Sequence, residues 1–265
     1  ISRLAGSSDQ RAGLGLSRKA NVVQQWRIAN GNTYMSYHLI LGNRLYFSWS
    51  LAAWLMVARF GLEKEVSVEF IYPETENGVG PLIAAYPPAR TVPMMRTPEG
   101  AILSDSMAIA EELATRFPDA GLWPSDPLAR GVARTLANEM HSSFRALRGG
   151  WPVNLRHAFE AQTPPADVAA ELDRLETIWA YARQVTKSQT PWLCGRYSIA
   201  DAIFAPMATR LATYGFDTRP TTRAYVAAHL ADPTLQRWRA EGLANDREMP
   251  TVEAPFPHRA WPEAL

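Results

Sequence analysis

The strongest constraint in this chain is a boundary. Before a proline-rich stretch at Phe117–Pro127, apolar residues recur with two different periods; beyond it they recur with one. Tyr37–Leu41 (YHLIL) reads as a buried strand, and Gly42-Asn43 has turn chemistry. From Ser48 or Ser50, either of which can cap a helix, Leu51, Trp54, Leu55 and Ala58 fall on one helical face, and Gly61 ends it. Glu65–Ile71 then alternates, with Val66, Val68 and Phe70 on one side and Glu65, Ser67 and Glu69 on the other. A strand, a helix and a strand in this order favour a parallel pair joined by a right-handed crossover.

The loop from Pro73 leads to a short helical candidate, Pro81–Tyr86. Two short strands follow, Thr91–Arg96 and Ala101–Leu103, around the turn Thr97-Pro98-Glu99-Gly100. Ser104-Asp105 opens a helix with Ile109, Ala110, Leu113, Ala114 and Phe117 inward. The order is β-α-β-α-β-β-α. After the proline-rich link, Leu128, Val132, Leu136, Met140 and Phe144 predict one long helix running to Gly149-Gly150. Leu172, Leu175, Trp179 and Ala182 mark a second. Ser198-Ile199-Ala200-Asp201 starts a third with capping-box spacing, and shorter helices near Thr222–Leu230 and Thr234–Glu241 precede a proline-rich tail. The second half is all-α.

Composition narrows the function classes. The net charge is +1, but residues 1–34 hold five basic side chains against one acidic, so the remainder is acidic by three. The body has no basic excess to favour nucleic acid or an anionic membrane. No run approaches the roughly 18 consecutive apolar residues of a membrane span. A lone cysteine, Cys194, excludes an intramolecular disulfide, reads as a small buried hydrophobe and makes a reducing cytoplasm the expected setting. His38, His141, His157, His229 and His258 show no HxxxH or HExxH spacing, and there is no GxGxxG or Walker loop, so neither a metal nor a nucleotide is expected. Residues 1–34, rich in Arg, Ser and Gly with little periodicity, are read as a leader or added extension outside the fold. Residues 35–118 form the first domain, 119–126 the linker and 127–265 the helical domain with its tail.

These features together resemble the glutathione transferases. The resemblance rests on Val92-Pro93 opening the third strand, Ser104-Asp105-Ser106 opening the next helix, and SIAD in an all-helical second half; it covers Met35 to about Ala244. The FSWS stretch is similar to SSCS of zeta-like classes, with Phe47 where the first family serine stands. EMHSSFRALRGGWPVNLR is similar to the acceptor-pocket stretch of bacterial members. The resemblance implies a thioredoxin-like domain that binds glutathione as co-substrate, an all-α domain that shapes the pocket for a small electrophile, and a homodimer.

The same resemblance assigns residues. Ser48, with Ser50 as the capping alternative, would donate to the glutathione thiol, whose anion is the nucleophile. A helix N-terminus adds its dipole to that stabilisation. The absence of a cysteine at this turn argues against mixed-disulfide chemistry. Val92 would pair with the extended tripeptide beside a cis Pro93; an ordinary edge-strand proline is the bland reading. Ser106 would hold the γ-glutamyl carboxylate and Asp105 its ammonium. Thr91 occupies a position that is usually basic, so Arg90 would serve the glycine end. Tyr46, Trp49, Met140, His141, Phe144, Leu147 and Trp151 would line the acceptor pocket, although Met140 and Phe144 fit a plain core equally well. Arg145, Arg148 and Arg156 suggest an anionic acceptor, or simple charge balance at a last helical turn. The chemistry is either conjugation or a double-bond isomerisation of the maleylacetoacetate isomerase kind, and a non-catalytic binding module of the same fold is the alternative.

Overall fold

The computed structural model describes residues 36–72, 83–84 and 86–262. The expected extension 1–34, the loop from Pro73 and half of the helical candidate Pro81–Tyr86 lie outside the described residues. The first half holds β1 (Tyr37–Leu41), α1 (Ser48–Ala58), β2 (Val66–Phe70), β3 (Met94–Arg96), β4 (Ile102–Leu103) and α2 (Ser106–Arg116). The four strands form one sheet in the order β2-β1-β3-β4, with β1 parallel to β2 and the other pairs antiparallel. This is a thioredoxin-like sheet. Leu39, Leu41 and Met95 lie on the face covered by the helices, whereas Ile40 and Met94 face the other way against Ile83, Ala89 and Val92.

The second half holds α3 (Pro127–Ser142), α4 (Arg145–Gly150), β5 (Ala158–Phe159), α5 (Ala166–Thr186), α6 (Ile199–Tyr214), α7 (Pro220–Ala231), α8 (Pro233–Asn245) and β6 (His258–Arg259). β5 and β6 make a small antiparallel ladder, which draws the tail back onto the helices. Among the described residues no helix is long and apolar enough to cross a membrane.

Two expectations need correction. The single helix expected from Leu128 to Gly150 is broken: Ser143 is extended and Phe144 takes a left-handed conformation at φ 60°. Phe144 and Leu147 are buried on the far side of the break, while Leu128, first of the expected stripe, is 57% exposed. Secondly, α1 is not one-sided. Every residue from Ser50 to Val57 is buried, because α1 is packed among α2, α6 and α8. α6 is itself buried along its whole length, so one apolar core runs through both halves.

The start of α6 explains that arrangement. Asp201 accepts the Ser198 N–H at 3.0 Å, the Leu193 N–H at 3.1 Å and the Tyr225 hydroxyl at 3.0 Å. The expected capping box is present, and it doubles as an anchor for the preceding loop and for α7. Burial lifts the Asp201 carboxyl to about 6, against the pull of its hydrogen bonds. Arg44 joins the halves further round: its guanidinium donates to Asp246 at 2.7 Å and lies 3.4 Å from the Phe70 ring centre.

Candidate functional site

Strand register places the site. α1 follows the C-terminal end of β1. β3 runs antiparallel to β1, with Met94 opposite Ile40, so Val92 and Pro93 also arrive at that end. β4 reverses again, with Leu103 opposite Met95, and delivers Ser104, Asp105 and Ser106 to the same place. Three of the expected contact groups therefore meet at one end of the sheet, although they are far apart in sequence.

The Val92–Pro93 peptide is cis, and Val92 and Pro93 are buried. Arg90 and Thr91 are exposed beside them; the Thr91 hydroxyl donates to the Val92 carbonyl at 3.3 Å. At the next corner Asp105 caps α2, its Oδ1 accepting from the N–H groups of Met107 at 2.8 Å and Ala108 at 3.1 Å. Ser106 is the first helical residue and is buried.

The serines of α1 part company. Neither caps the helix, since Phe47 is the N-cap residue and supplies no side-chain acceptor. Ser50 is fully buried and accepts the Gly42 N–H at 3.0 Å, a link that ties α1 to the end of β1. That use leaves Ser50 facing inward. Ser48 is half-buried at the first turn, where no side chain caps the N–H groups and no acidic residue offsets the dipole. Phe47 covers Gly42 so closely that a Cβ there would stand 2.7 Å from the ring.

The helical half closes over this end of the sheet. His141, in the last turn of α3, pairs its Nε2 with Asp105 Oδ2 at 2.9 Å and packs its ring 5.3 Å from that of Trp49. Arg148 also lies over Trp49, 4.8 Å from a ring centre. It also donates to the carbonyls of Met140, His141 and Ser143 at 3.3, 3.0 and 3.0 Å. Burial and the neighbouring Arg145 lower its pKa. Arg148 thus caps the end of α3 from the following helix, whereas a place in the last turn of the same helix was expected; Arg145 is exposed.

Other expected pocket residues lie elsewhere. Met140, Phe144 and Leu147 are core side chains. Trp151 is stacked on Phe256 of the tail at 5.4 Å and meets Tyr214 and Phe216 edge-on. The Tyr46 hydroxyl donates to Glu253 at 3.2 Å, and burial raises its pKa to about 12. Arg156 is held by the Asp246 carbonyl and Glu248. Of the expected lining, Trp49 and His141 face the gathered helix ends. The pairing of His141 with Asp105 was not legible, because nothing in the spacing of two residues 36 positions apart signals contact.

Cys194 is buried, and burial pushes its thiol up to about 12, which disfavours the thiolate form. The arrangement suits a ligand with two anionic centres: two helix N-termini converge on one sheet end, one carrying a hydroxyl and the other a buried serine.

Residues 47–116 match the family model described as the glutathione S-transferase N-terminal domain. Similar solved structures include a glutathione transferase from Methylococcus capsulatus, at 21% identity and a TM-score of 0.57 over 79% of this chain and 100% of that one. A glutathione transferase homolog from Burkholderia, solved with bound glutathione, gives 22% and 0.57 over 80% and 100%. A maleylacetoacetate isomerase from Anaeromyxobacter dehalogenans gives 22% and 0.55 over 84% and 98%. No curated protein matches the chain. The fold is that of the glutathione transferases, a thioredoxin-like domain followed by a helical region, which is not all-α as expected because it also carries the short β5–β6 ladder.

Proposed function

We propose that this chain is a glutathione transferase that binds glutathione at the C-terminal end of β1, ionises its thiol at Ser48 and directs the thiolate at a small electrophile. The observation that carries the reading is the meeting, at one sheet end, of the α1 N-terminus with Ser48, the cis Val92–Pro93 peptide and the α2 N-terminus with Ser106. The Val92 backbone would pair with the tripeptide. Ser106 and the α2 dipole would take the γ-glutamyl carboxylate, and Asp105, whose Oδ2 already pairs with His141 Nε2 at 2.9 Å, would take the ammonium. The thiolate would then lie at the first turn of α1, stabilised by the Ser48 hydroxyl and by N–H groups that no side chain caps. Holding the nucleophile in a fixed place supplies the orientation part of the rate.

Trp49, His141 and Arg148 would form the near wall of the electrophile site. Arg148 makes its three carbonyl bonds through Nη1 alone, so it offers a half-buried positive charge whose Nε and Nη2 donors are not committed to those carbonyls. Titration calorimetry with glutathione tests the reading: the wild type should bind it, and Ser106→Ala should bind at least about tenfold more weakly, the equivalent of one charge-assisted hydrogen bond. An unchanged dissociation constant would remove Ser106 from the site. Product analysis then separates conjugation, which consumes glutathione, from isomerisation, which returns it.

A further inference from the structure

The return of the tail brings together three side chains that the glutathione reading does not use. His157, Glu253 and His258 each present a ligand atom, all within 4.8 Å of one another. We propose that they form a binding site for a zinc-type divalent cation, which clasps the tail to the helical half.

The cluster has a built support. Asn154 is fully buried, and its side-chain NH2 donates to both carboxylate oxygens of Glu253, at 3.0 Å each. Its side-chain oxygen accepts the backbone N–H of His157 at 2.8 Å. A single buried amide therefore fixes two of the three ligands, the kind of outer support that metal-binding carboxylates and imidazoles have. The Tyr46 hydroxyl holds Glu253 Oε1 from another side, and His157 Nδ1 stands 3.3 Å from that same oxygen. His258 is positioned by the ladder: it lies opposite Phe159, Glu160 N–H donates to the Pro257 carbonyl at 2.9 Å, and Arg259 donates to the Phe159 carbonyl at 2.6 Å.

The His157 and His258 rings lie 4.3 Å apart at 21°. Ligands at about 2.0–2.1 Å in a tetrahedral site are roughly 3.3 Å from one another, so rotation of one stacked ring, aiming its nitrogen at the shared ion and moving it about 1.5 Å, closes the set. Two imidazoles and one carboxylate select a borderline cation over magnesium or calcium, which prefer all-oxygen shells. His258 is exposed, which gives the ion an entry path and leaves room for water as a further ligand.

The test uses the untagged full chain and titration calorimetry with Zn2+, with Mg2+ as the oxygen-preferring control. The wild type should bind one Zn2+ per chain and no Mg2+. His258→Ala, at an exposed position, should fold normally and bind Zn2+ at least tenfold more weakly, and Glu253→Gln should do the same. Absence of Zn2+ binding by the wild type, or Zn2+ affinity unchanged in His258→Ala, would overturn the proposal.

Discussion

Asp105 shows how much one side chain is asked to do. One oxygen caps α2 and the other meets His141 at 2.9 Å. Asparagine caps a helix about as well as aspartate, so Asp105→Asn separates the two tasks. The variant should melt within a few degrees of the wild type yet bind glutathione at least about tenfold more weakly, since it keeps the acceptor and loses the charge for the ammonium. Calorimetry beside a thermal melt checks both. His229 offers a pH prediction. Its ring is buried among Trp192, Tyr197 and Tyr225, and burial holds its pKa down at about 3. A depressed folded pKa means that this group's contribution is intact above the unfolded value of about 6.5 and is lost as pH falls below it. Asp201, raised to about 6, acts in the opposite direction over part of that range, so the useful readout is a difference. His229→Phe should lose about 2 kcal/mol less stability than the wild type between pH 7.5 and 5 by denaturant titration.

At the scale of elements, α3 and α4 matter most. Phe144 in a left-handed conformation breaks what looked like one helix, and Arg148 from α4 then reaches back to cap α3. Arg148→Ala should cost about 1–2 kcal/mol of stability by uncapping α3. It should also disturb turnover more than glutathione affinity, because His141 and Trp49 lose their support while Val92 and Ser106 do not. Steady-state kinetics beside a denaturant titration would show this split.

Much of the architecture was legible, since strand alternation, the capping box of α6 and the turn residues are local signals. The break at Phe144 was not, because the i, i+4 spacing of Leu136, Met140 and Phe144 carries no signal for a left-handed residue. Of the expected pocket residues, Trp49 and His141 stand beside the gathered helix ends, His141 through Asp105 and Trp49 through His141. Tyr46, Trp151 and Ser50 were misplaced because their partners are Glu253, Phe256 and Gly42, contacts that periodicity does not carry.

On the scale of the whole molecule, α1 and α6 share a core that belongs to neither half alone. Removing the helical half would expose the outer side of α1. The chain should therefore unfold in one transition, with tryptophan fluorescence and far-ultraviolet circular dichroism coinciding, and separated phases would show that the halves fold independently. The tail is part of the same unit through β5–β6 and the Trp151–Phe256 stack. A groove of about 670 Å3 lies between α3 and α5, with Leu128 and Tyr181 exposed on it.

The central claim is that the first turn of α1 ionises a bound thiol through Ser48, and the ultraviolet absorbance of thiolate, followed against pH with glutathione bound, tests it most directly. Free glutathione titrates near the ordinary thiol value of roughly 8.5. The wild-type complex should titrate at least about one unit lower, and Ser48→Ala should return it most of the way while still binding glutathione. Bound glutathione that titrates like the free thiol, or identically in the two proteins, would contradict the account.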